Sequence, residues 1–400
     1  MNLPEPKGKP FALLEGVRVL DLTSSVAGPY GAMLLADMGA EVVKVERPGA
    51  GDDVRAWGPP FLDGESVWYL AVNRNKKSVA LDPSTDEGRK VVYEIARRCD
   101  AVITNQVPRV QEKLKLDYAS FKAVKDDIVF VSLTGFGLTG ARRDLPCYDL
   151  IAEGYSGVMD VTGAPDSPPQ KIGTAAADLL AGMDAAFACV AALFDRQRTG
   201  RGHLVDVTLV ESMTRFMGPR IASYLGSGDV ARRSGGTDSV IAIYQTFDAA
   251  DAPLTLGLGN DNIWRRFWSA VGEPAMGEDA RYASNQQRRA ARPELVAKIA
   301  SILRTQPRAH WLALFQRTGV PAGPINRLDE VAADPELAAR GLFYRVGDIP
   351  QVGTGIQVDG QANAPRNMAP RLGADTETVL RDLLGKSDDE IARLRAAKAI

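Results

Sequence analysis

A chain of 400 residues is too long for one ordinary hydrophobic core, and its 45% hydrophobic and 24% charged residues are typical of a globular protein with two or three domains. A formal net charge of −2 gives no general attraction to nucleic acid or to an anionic membrane, so we expect neither as a partner. Only two histidines are present, His203 and His310, which excludes a histidine-rich metal site. The three scattered cysteines and the lack of an apolar leader or uninterrupted membrane span predict a cytoplasmic protein.

Strands and helices alternate along the first part of the chain. The predicted strands are 17–22, 42–45, 79–82, 101–104 and 128–135, and the predicted helices are 28–38, 84–98 and 118–124. This alternation indicates a doubly wound, Rossmann-like α/β domain whose ligand lies at the carboxyl ends of the strands. The first loop, SSVAGPYG, lacks the G-x-G-x-x-G of dinucleotide folds, which argues against a nicotinamide or flavin cofactor.

Polar residues follow three of these strands. Arg47 precedes the glycine-rich turn PGAGDD, where its guanidinium could meet a phosphate, although a solvated turn residue is the simpler interpretation. The basic segment NRNKKS, residues 73–78, is interpreted as a solvated sheet edge. Asn105 follows strand 101–104, at the edge where the ligands of such sheets bind.

One carboxylate, Asp178, stands at the head of the long apolar run from Gly173 to Leu193. Burying an ionised carboxylate without a partner is costly, so such a residue normally caps a helix, pairs with a base or takes part in chemistry. Aspartate is a favoured N-cap residue and helix-forming residues follow, so the spacing alone favours capping. The helix is predicted to end near Arg198, before the stop signal TGRG.

The second half of the chain differs in pattern from about Ser227 onward. An antiparallel strand pair, IAIYQTF with LTLGLG, is followed by three helices, which indicates a smaller α+β domain. The turn GVPAGPINRL then leads into further helices, which end with 376–384 and 388–397. The predicted division is a large domain at 1–200, a linker at 201–225, a small domain at 226–325 and a return segment at 326–400 that completes the large domain.

Several motifs, taken together and in order, resemble one known family. They are LDLTSSVAGPYGAMLLADMGAEVVKVERPGAGDD, NRNKKSVALD, the Asp178 stretch ending in RTGRG, and GVPAGPIN with ADPELAARG downstream. They are similar to class III CoA-transferases, a family that includes formyl-CoA transferase, carnitine CoA-transferases and α-methylacyl-CoA racemases. SSVAGP, VERPGAGDD and RAWGPP most resemble the succinyl-CoA:glutarate and other dicarboxylate-using transferases.

The resemblance implies a role for particular side chains. Asp178, followed by Gly182 and Met183, matches the catalytic aspartate of the family. The positions that match residues contacting CoA are Val26, Ala27, Arg47, Lys76, Asn105 and Lys113. Tyr148 and Trp57 match residues of the substrate pocket. The resemblance also implies an interlocked homodimer, with acyl-CoA and a small carboxylic acid as substrates and no metal or bound cofactor.

The implied activity is the transfer of CoA from an acyl-CoA donor, such as succinyl-CoA, to a carboxylic acid such as a dicarboxylate. A carboxylate is an established covalent nucleophile, so Asp178 would form first an anhydride and then an aspartyl-CoA thioester. For a dicarboxylic substrate, Arg55, Arg74 or Arg220 could anchor the second carboxylate.

Two alternatives remain open from the sequence. One is a 2-methylacyl-CoA racemase that uses Asp178 as a base. Against it, no histidine precedes His203, and Tyr148 stands where racemases have histidine; tyrosine, with a pKa of about 10, is poorly matched to that proton transfer. The other is a non-catalytic acyl-CoA-binding protein, which CoA-contacting residues alone do not exclude.

Overall fold

The computed structural model describes residues 3–238 and 240–400. The backbone forms two compact units. The first unit contains the chain up to Val158, Lys171–Pro219 and Asp334–Ile400, and the second contains Met159–Gln170 and Arg220–Ala333. The chain therefore returns to the first unit at its C-terminal end. The division drawn from the sequence differs in detail, because it assigns 159–170 to the large domain.

A parallel sheet forms the centre of the first unit. Its strands are β1 (Arg18–Leu22), β2 (Glu41–Glu46), β3 (Lys76–Ala80), β4 (Ala101–Thr104), β5 (Val129–Thr134) and β6 (His203–Thr208). Their spatial order is β3-β2-β1-β4-β5-β6, and every neighbouring pair is parallel. The order reverses beside β1, which opens a crevice at the carboxyl ends of the strands. The predicted doubly wound, Rossmann-like domain is confirmed.

Helices and short strand pairs complete the first unit. The helices are Ala27–Asp37, Val67–Val72, Asp86–Arg97, Pro108–Leu114, Tyr118–Val124, Asp149–Ser156, Ala176–Thr199, Leu209–Phe216, Pro335–Ala339, Thr376–Thr378 and Asp388–Ala396, with a 3-10 turn at Asp53–Ala56 and a π-turn at Val379–Leu383. The strand pairs are Phe61–Leu62 with Glu65–Ser66, Phe343–Val346 with Ile349–Val352, and Gln357–Val358 with Gln361–Ala362. Leu380 and Ile391 of the return segment lie in the same buried cluster as Leu20 and Val43 of the sheet, so the C-terminal residues complete this core.

The second unit is α+β, as predicted. Its antiparallel sheet contains Tyr244–Asp248, Pro253–Gly257 and Ala322–Pro324. Its helices are Asp261–Ala270, Pro274–Gly277, Asn285–Ala290, Arg292–Leu303, Arg308–Thr318 and Leu328–Ala332, with a 3-10 turn at Ala280–Tyr282. The helices Val158–Val161 and Gly218–Ser227 carry the chain between the units. The GVPAGPIN segment is predicted as a turn but supplies the third strand, since an edge strand tolerates the proline that ends it.

The basic segment after Val72 is not the solvated edge that its composition suggests. The Arg74 guanidinium donates to the Asp37 carboxylate at 2.6 Å, and both side chains are buried. The Lys76 ammonium is completely buried and donates to Asp21 Oδ2 at 2.9 Å. Strand β3 accordingly begins at Lys76, earlier than predicted. The prediction was wrong because the acidic partners lie far away in sequence, where local composition gives no sign of them.

The helix Ala176–Thr199 is, by length and composition alone, apolar enough to cross a membrane. Half of the most apolar stretch of this helix is buried inside the protein. The buried side of this helix packs against Ala27–Asp37, as a core helix does.

Candidate active site

Asp178 lies in the first turn of its helix, but it does not cap it. The helix begins at Ala176 and its N-cap residue is Ala175, which makes the capping interpretation wrong. The cap comes from another helix: Asp149 Oδ1 accepts hydrogen bonds from the backbone N–H of Ala177 at 2.8 Å and of Asp178 at 3.3 Å. Within the described residues, no hydrogen bond or ion pair to the Asp178 carboxylate is found, so its oxygens are available for chemistry.

The surroundings of Asp178 make its ionised form unfavourable. Burial raises the pKa of this carboxyl to about 7, and the neighbouring Asp149 carboxylate contributes to the increase. Burial, with a contribution from the Asp178 carboxyl, raises the pKa of the nearby Cys147 thiol to about 11. Asp178 is therefore unusually basic for an aspartate while still substantially ionised near neutral pH, which suits a nucleophile.

Two glycines let the Asp178 helix approach the helix Ala27–Asp37 closely. A Cβ atom on Gly182 would lie 2.6 Å from the carbonyl oxygen of Ala27, and one on Gly31 would lie 2.7 Å from the carbonyl oxygen of Gly182. Side chains at these positions would force the helices apart. Because Gly182 follows Asp178 by one helical turn, this contact holds the head of one helix beside the N-terminus of the other.

The loop before Ala27 is held by side chains from other parts of the unit. Asn105 forms a reciprocal pair with the Ser24 backbone: its Oδ1 accepts from the N–H at 3.0 Å and its Nδ2 donates to the carbonyl at 2.7 Å. Asp52 Oδ1 accepts from the Ser25 N–H at 2.8 Å, and Ser25 has a left-handed φ of 67°. Val26 is the N-cap of the following helix, and both it and Ala27 are buried. Asn105 thus orders the loop to which Val26 belongs.

The residues before Asp149 border the same region. Cys147 packs on the end of β5, where a Cβ atom on Gly135 would lie 2.2 Å from the Cys147 Cβ. Tyr148 is the N-cap of the helix Asp149–Ser156, and 64% of its surface is exposed. Trp57 lies elsewhere in the unit, with its ring edge-to-face against Trp68 at a centroid distance of 6.4 Å.

A cavity of about 270 Å³ lies at the carboxyl ends of β1 and β2. Its lining includes polar residues from several loops, among them Thr23, Ser24, Arg47, Asp53 and Gln106. Arg47 is exposed and pairs with Asp53 at 2.6 Å. The Gln106 Oε1 atom is buried and, within the described part of the chain, accepts no hydrogen bond. The cavity thus offers an exposed guanidinium and an unused amide oxygen at the edge where doubly wound folds bind their ligands.

The two lysines expected at CoA phosphates have very different surroundings. Lys113 is exposed on the helix Pro108–Leu114. Lys76 donates to Asp21, to the Pro29 carbonyl at 2.8 Å and to Asn73 Oδ1 at 2.9 Å. An ammonium has three protons, so Lys76 has none left for a phosphate. Burial lowers its pKa to about 8. This geometry gives the expected CoA contact at Lys76 no support.

All three arginines considered for a second substrate carboxylate have acidic partners. Arg55 donates to Glu46 at 2.8 Å and to Glu65 at 3.0 Å, and Arg74 is held by Asp37. Arg220 lies 3.6 Å from an Asp238 oxygen and is more exposed. Arg55 and Arg74 are buried in these pairs, whereas the Arg220 side chain is partly exposed.

Neither histidine lies in a catalytic arrangement. His203 begins β6 and its Nε2 lies 3.0 Å from Asp195 Oδ2, and His310 is exposed on a helix. Among residues 3–238 and 240–400, no three His, Cys, Asp or Glu side chains are arranged to hold a metal ion.

The profile of CoA-transferase family III matches residues 14–376, and the chain is a member of that family. The protein is accordingly an enzyme that transfers CoA from an acyl-CoA to a carboxylic acid. Similar curated proteins include the succinyl-CoA:glutarate CoA-transferase of Mus musculus, which is 37% identical over 97% of this chain and 90% of its own length.

A bacterial relative and a solved structure agree with this assignment. The succinate–glutarate CoA-transferase of Agrobacterium fabrum is 38% identical over 92% of this chain and 95% of its own length. A CaiB/BaiF family protein from Brucella suis superposes with a TM-score of 0.82 at 35% identity, covering 94% of this chain and all of that one. The family predicted from the sequence motifs is therefore confirmed.

Proposed function

We propose that this enzyme moves CoA from a dicarboxylic acyl-CoA, such as succinyl-CoA, to a free dicarboxylic acid, with Asp178 as the covalent nucleophile. The observation that carries the proposal is the unpaired, unusually basic Asp178 carboxyl at the head of its helix. The dicarboxylic substrates are inferred from the names of the mouse and Agrobacterium relatives.

The chemistry proceeds by acyl transfers in which atoms and charges balance. An Asp178 oxygen attacks the thioester carbonyl, the C–S bond breaks, and a mixed anhydride and CoA thiolate result. The thiolate attacks the Asp178 carbonyl, which releases the donor acid and leaves an aspartyl-CoA thioester. The acceptor carboxylate attacks that thioester to give a second anhydride and thiolate. Attack of the thiolate on the acceptor carbonyl yields the new acyl-CoA and free Asp178.

The raised pKa of Asp178 favours these steps for an electrostatic reason. Ionised Asp178 is repelled by Asp149 and is poorly solvated, whereas the anhydride and the thioester at the same carboxyl are neutral. Acylation therefore relieves an unfavourable charge, which stabilises the covalent intermediates relative to the free enzyme.

The CoA part of the substrate is assigned to the carboxyl edge of the sheet. Arg47 and Lys113 are exposed cations that suit its phosphates, and the backbone of Val26 and Ala27 lies where Gly182 brings the nucleophile helix close. Asn105 acts on this region by holding the Ser24 backbone. Tyr148 and Trp57 are assigned to the acyl pocket.

We further propose that the enzyme is a homodimer. Met183, Phe187, Val190 and Phe194 follow one another at helical spacing on the Asp178 helix, and all four are exposed, Phe187 by 77%. An exposed apolar stripe of this kind typically marks a protein interface.

We also propose a cytoplasmic location, since Cys99, Cys147 and Cys189 are all free thiols.

The first test is CoA transfer from succinyl-CoA to a panel of mono- and dicarboxylic acids. Asp178→Ala should lose at least about a thousandfold in kcat, while Asp195→Asn, at the other end of the same helix, should retain activity. Hydroxylamine should form a hydroxamate at Asp178 only after exposure to acyl-CoA, as read by peptide mass mapping.

Other outcomes would contradict specific parts of the proposal. Transfer to monocarboxylic acids alone would overturn the dicarboxylic assignment. Transfer that survives in Asp178→Ala would overturn the covalent role of Asp178. Thermal stabilisation by CoA without turnover would instead indicate a binding protein, and exchange of α-protons of a 2-methylacyl-CoA without transfer would indicate a racemase.

A further inference from the structure

A second carboxyl, that of Glu153, lies in the same helix as Asp149. Glu153 follows Asp149 by one turn in the helix Asp149–Ser156 and is completely buried. Its Oε2 accepts a hydrogen bond from the Ile172 N–H at 2.8 Å. Its Oε1 is buried and, within the described residues, has no N–H or O–H donor.

Asp149 precedes Glu153 by four residues in the same helix, so the two carboxyls lie on one face of that helix and interact. Two carboxylates this close in a buried site do not both remain ionised, so one of them holds a proton shared with the other. That proton accounts for the Oε1 atom that otherwise has no partner.

The proton is best assigned to Glu153. Asp149 accepts two backbone N–H groups at the N-terminus of the Asp178 helix, whereas Glu153 accepts one, from Ile172. Glu153 is also the more deeply buried of the two. Burial, joined by the Asp149 carboxyl, raises the pKa of Glu153, while the Ile172 N–H and Lys171 act in the opposite direction.

The helix Leu209–Phe216 packs against the helix Asp149–Ser156 but contributes no charged partner to Glu153. Its charged residues are engaged elsewhere: Glu211 with Thr208, and Arg215 with Asp184.

We propose that Glu153 is a protonated positioning residue, which donates a hydrogen bond to Asp149 and so fixes that carboxylate against the head of the Asp178 helix. The consequence rests on the proposed role of Asp178 as nucleophile. A fixed Asp149 keeps its negative charge beside Asp178, and this charge disfavours the free carboxylate relative to the neutral acyl adduct. Glu153 thereby acts on the nucleophile through Asp149, without touching the substrate.

The test uses the pH dependence of kcat/KM in three variants. Glu153→Gln retains a donor toward Asp149 and an acceptor toward Ile172, so its acidic limb should coincide with that of wild type. Glu153→Leu removes the donor, and kcat/KM should fall about ten- to a hundredfold with the limb moved to lower pH. Asp149→Asn keeps an oxygen for the helix cap but loses the charge. Its acidic limb therefore shows how far the limb moves when the Asp149 charge is absent. A Glu153→Gln limb displaced as far as that of Asp149→Asn would show that Glu153 is ionised and overturn the proposal.

Infrared difference spectroscopy provides a readout that does not depend on turnover. A carboxylic-acid C=O band should persist in wild type at pH 8 and disappear in Glu153→Gln. A band that survives in Glu153→Gln but is lost in Asp149→Asn would put the proton on Asp149, and the absence of any such band in wild type would also contradict the proposal. A wild-type protein that shows the band but transfers no CoA would contradict the proposed function instead. If Glu153→Leu fails to fold, the pH profiles of the other two variants and the infrared spectra still show whether Glu153 carries the proton.

Discussion

Asp178 makes the folded protein less stable when it ionises. Its pKa is about 7 in the folded state against an ordinary value of 3.8, so the folded state retains its proton over a range where the unfolded state has lost it. The stabilisation from this group is complete below pH 4 and is lost as the pH rises through about 7. Asp178→Asn, which stays neutral, should therefore be more stable than wild type at pH 8 by about 1–3 kcal/mol, a value reduced by partial exposure of the carboxyl.

Urea denaturation of both proteins at pH 4 and pH 8 checks this expectation. The difference in unfolding free energy should be small at pH 4 and clear at pH 8. Asp195→Asn, a more exposed aspartate of the same helix, serves as the control and should show no comparable gain. Equal stability of Asp178→Asn and wild type at pH 8 would mean that Asp178 ionises without penalty.

Sequence patterns identified Asp178 but not the residues that tune it. An isolated carboxylate among apolar residues is visible in the sequence, and the family motifs assigned its role. Asp149 and Glu153 were missed, although a spacing of four between two acidic residues was visible in the sequence. The partners of Lys76 could not be predicted, because Asp21 is brought to it only by the pairing of the sheet strands.

Among the helices and strands, the close crossing of two helices positions Asp178, the proposed nucleophile. Gly182→Ala would place a methyl group 2.6 Å from the Ala27 carbonyl oxygen and push the helices apart. We expect a loss of about 1–3 kcal/mol in stability and a fall in kcat/KM, because Asp178 moves relative to the loop at Val26. Thermal unfolding and CoA-transfer kinetics measure the two effects.

Gly226→Ala is the matched control for this substitution. Gly226 also lies in a helix, but a Cβ atom there would meet nothing within 4 Å. The change should be neutral or slightly stabilising, since alanine favours helix more than glycine does. Gly182→Ala with unchanged activity would show that the crossing does not control the site.

Local patterns predicted the helices and strands well and failed where a distant contact decided the structure. Tyr118–Val124 begins and ends as predicted, because its N-cap Asp117 and its apolar periodicity are local features. Ala322–Pro324 was predicted as a turn, yet pairing with Pro253–Gly257 makes it a strand. The two-glycine crossing gave no local signal, since each glycine is explained only by the other helix.

In the whole molecule, the exposed apolar stripe on the Asp178 helix predicts that two copies of the chain associate. Phe187 and Phe194 are 77% and 62% exposed, and we expect a second copy of the chain to cover them. The wild type should be a dimer at micromolar concentration, and Phe187→Asp with Phe194→Asp should shift it to monomers, since a charge buried at an interface is costly.

Sedimentation velocity distinguishes the two states, and Leu328→Asp supplies the control because Leu328 is 88% exposed and lies outside the stripe. That variant should remain dimeric. The stripe lies on the helix that carries Asp178, so loss of the dimer should also lower CoA transfer. A monomeric wild type, or a double variant that stays dimeric and fully active, would show that this face does not join two copies of the chain.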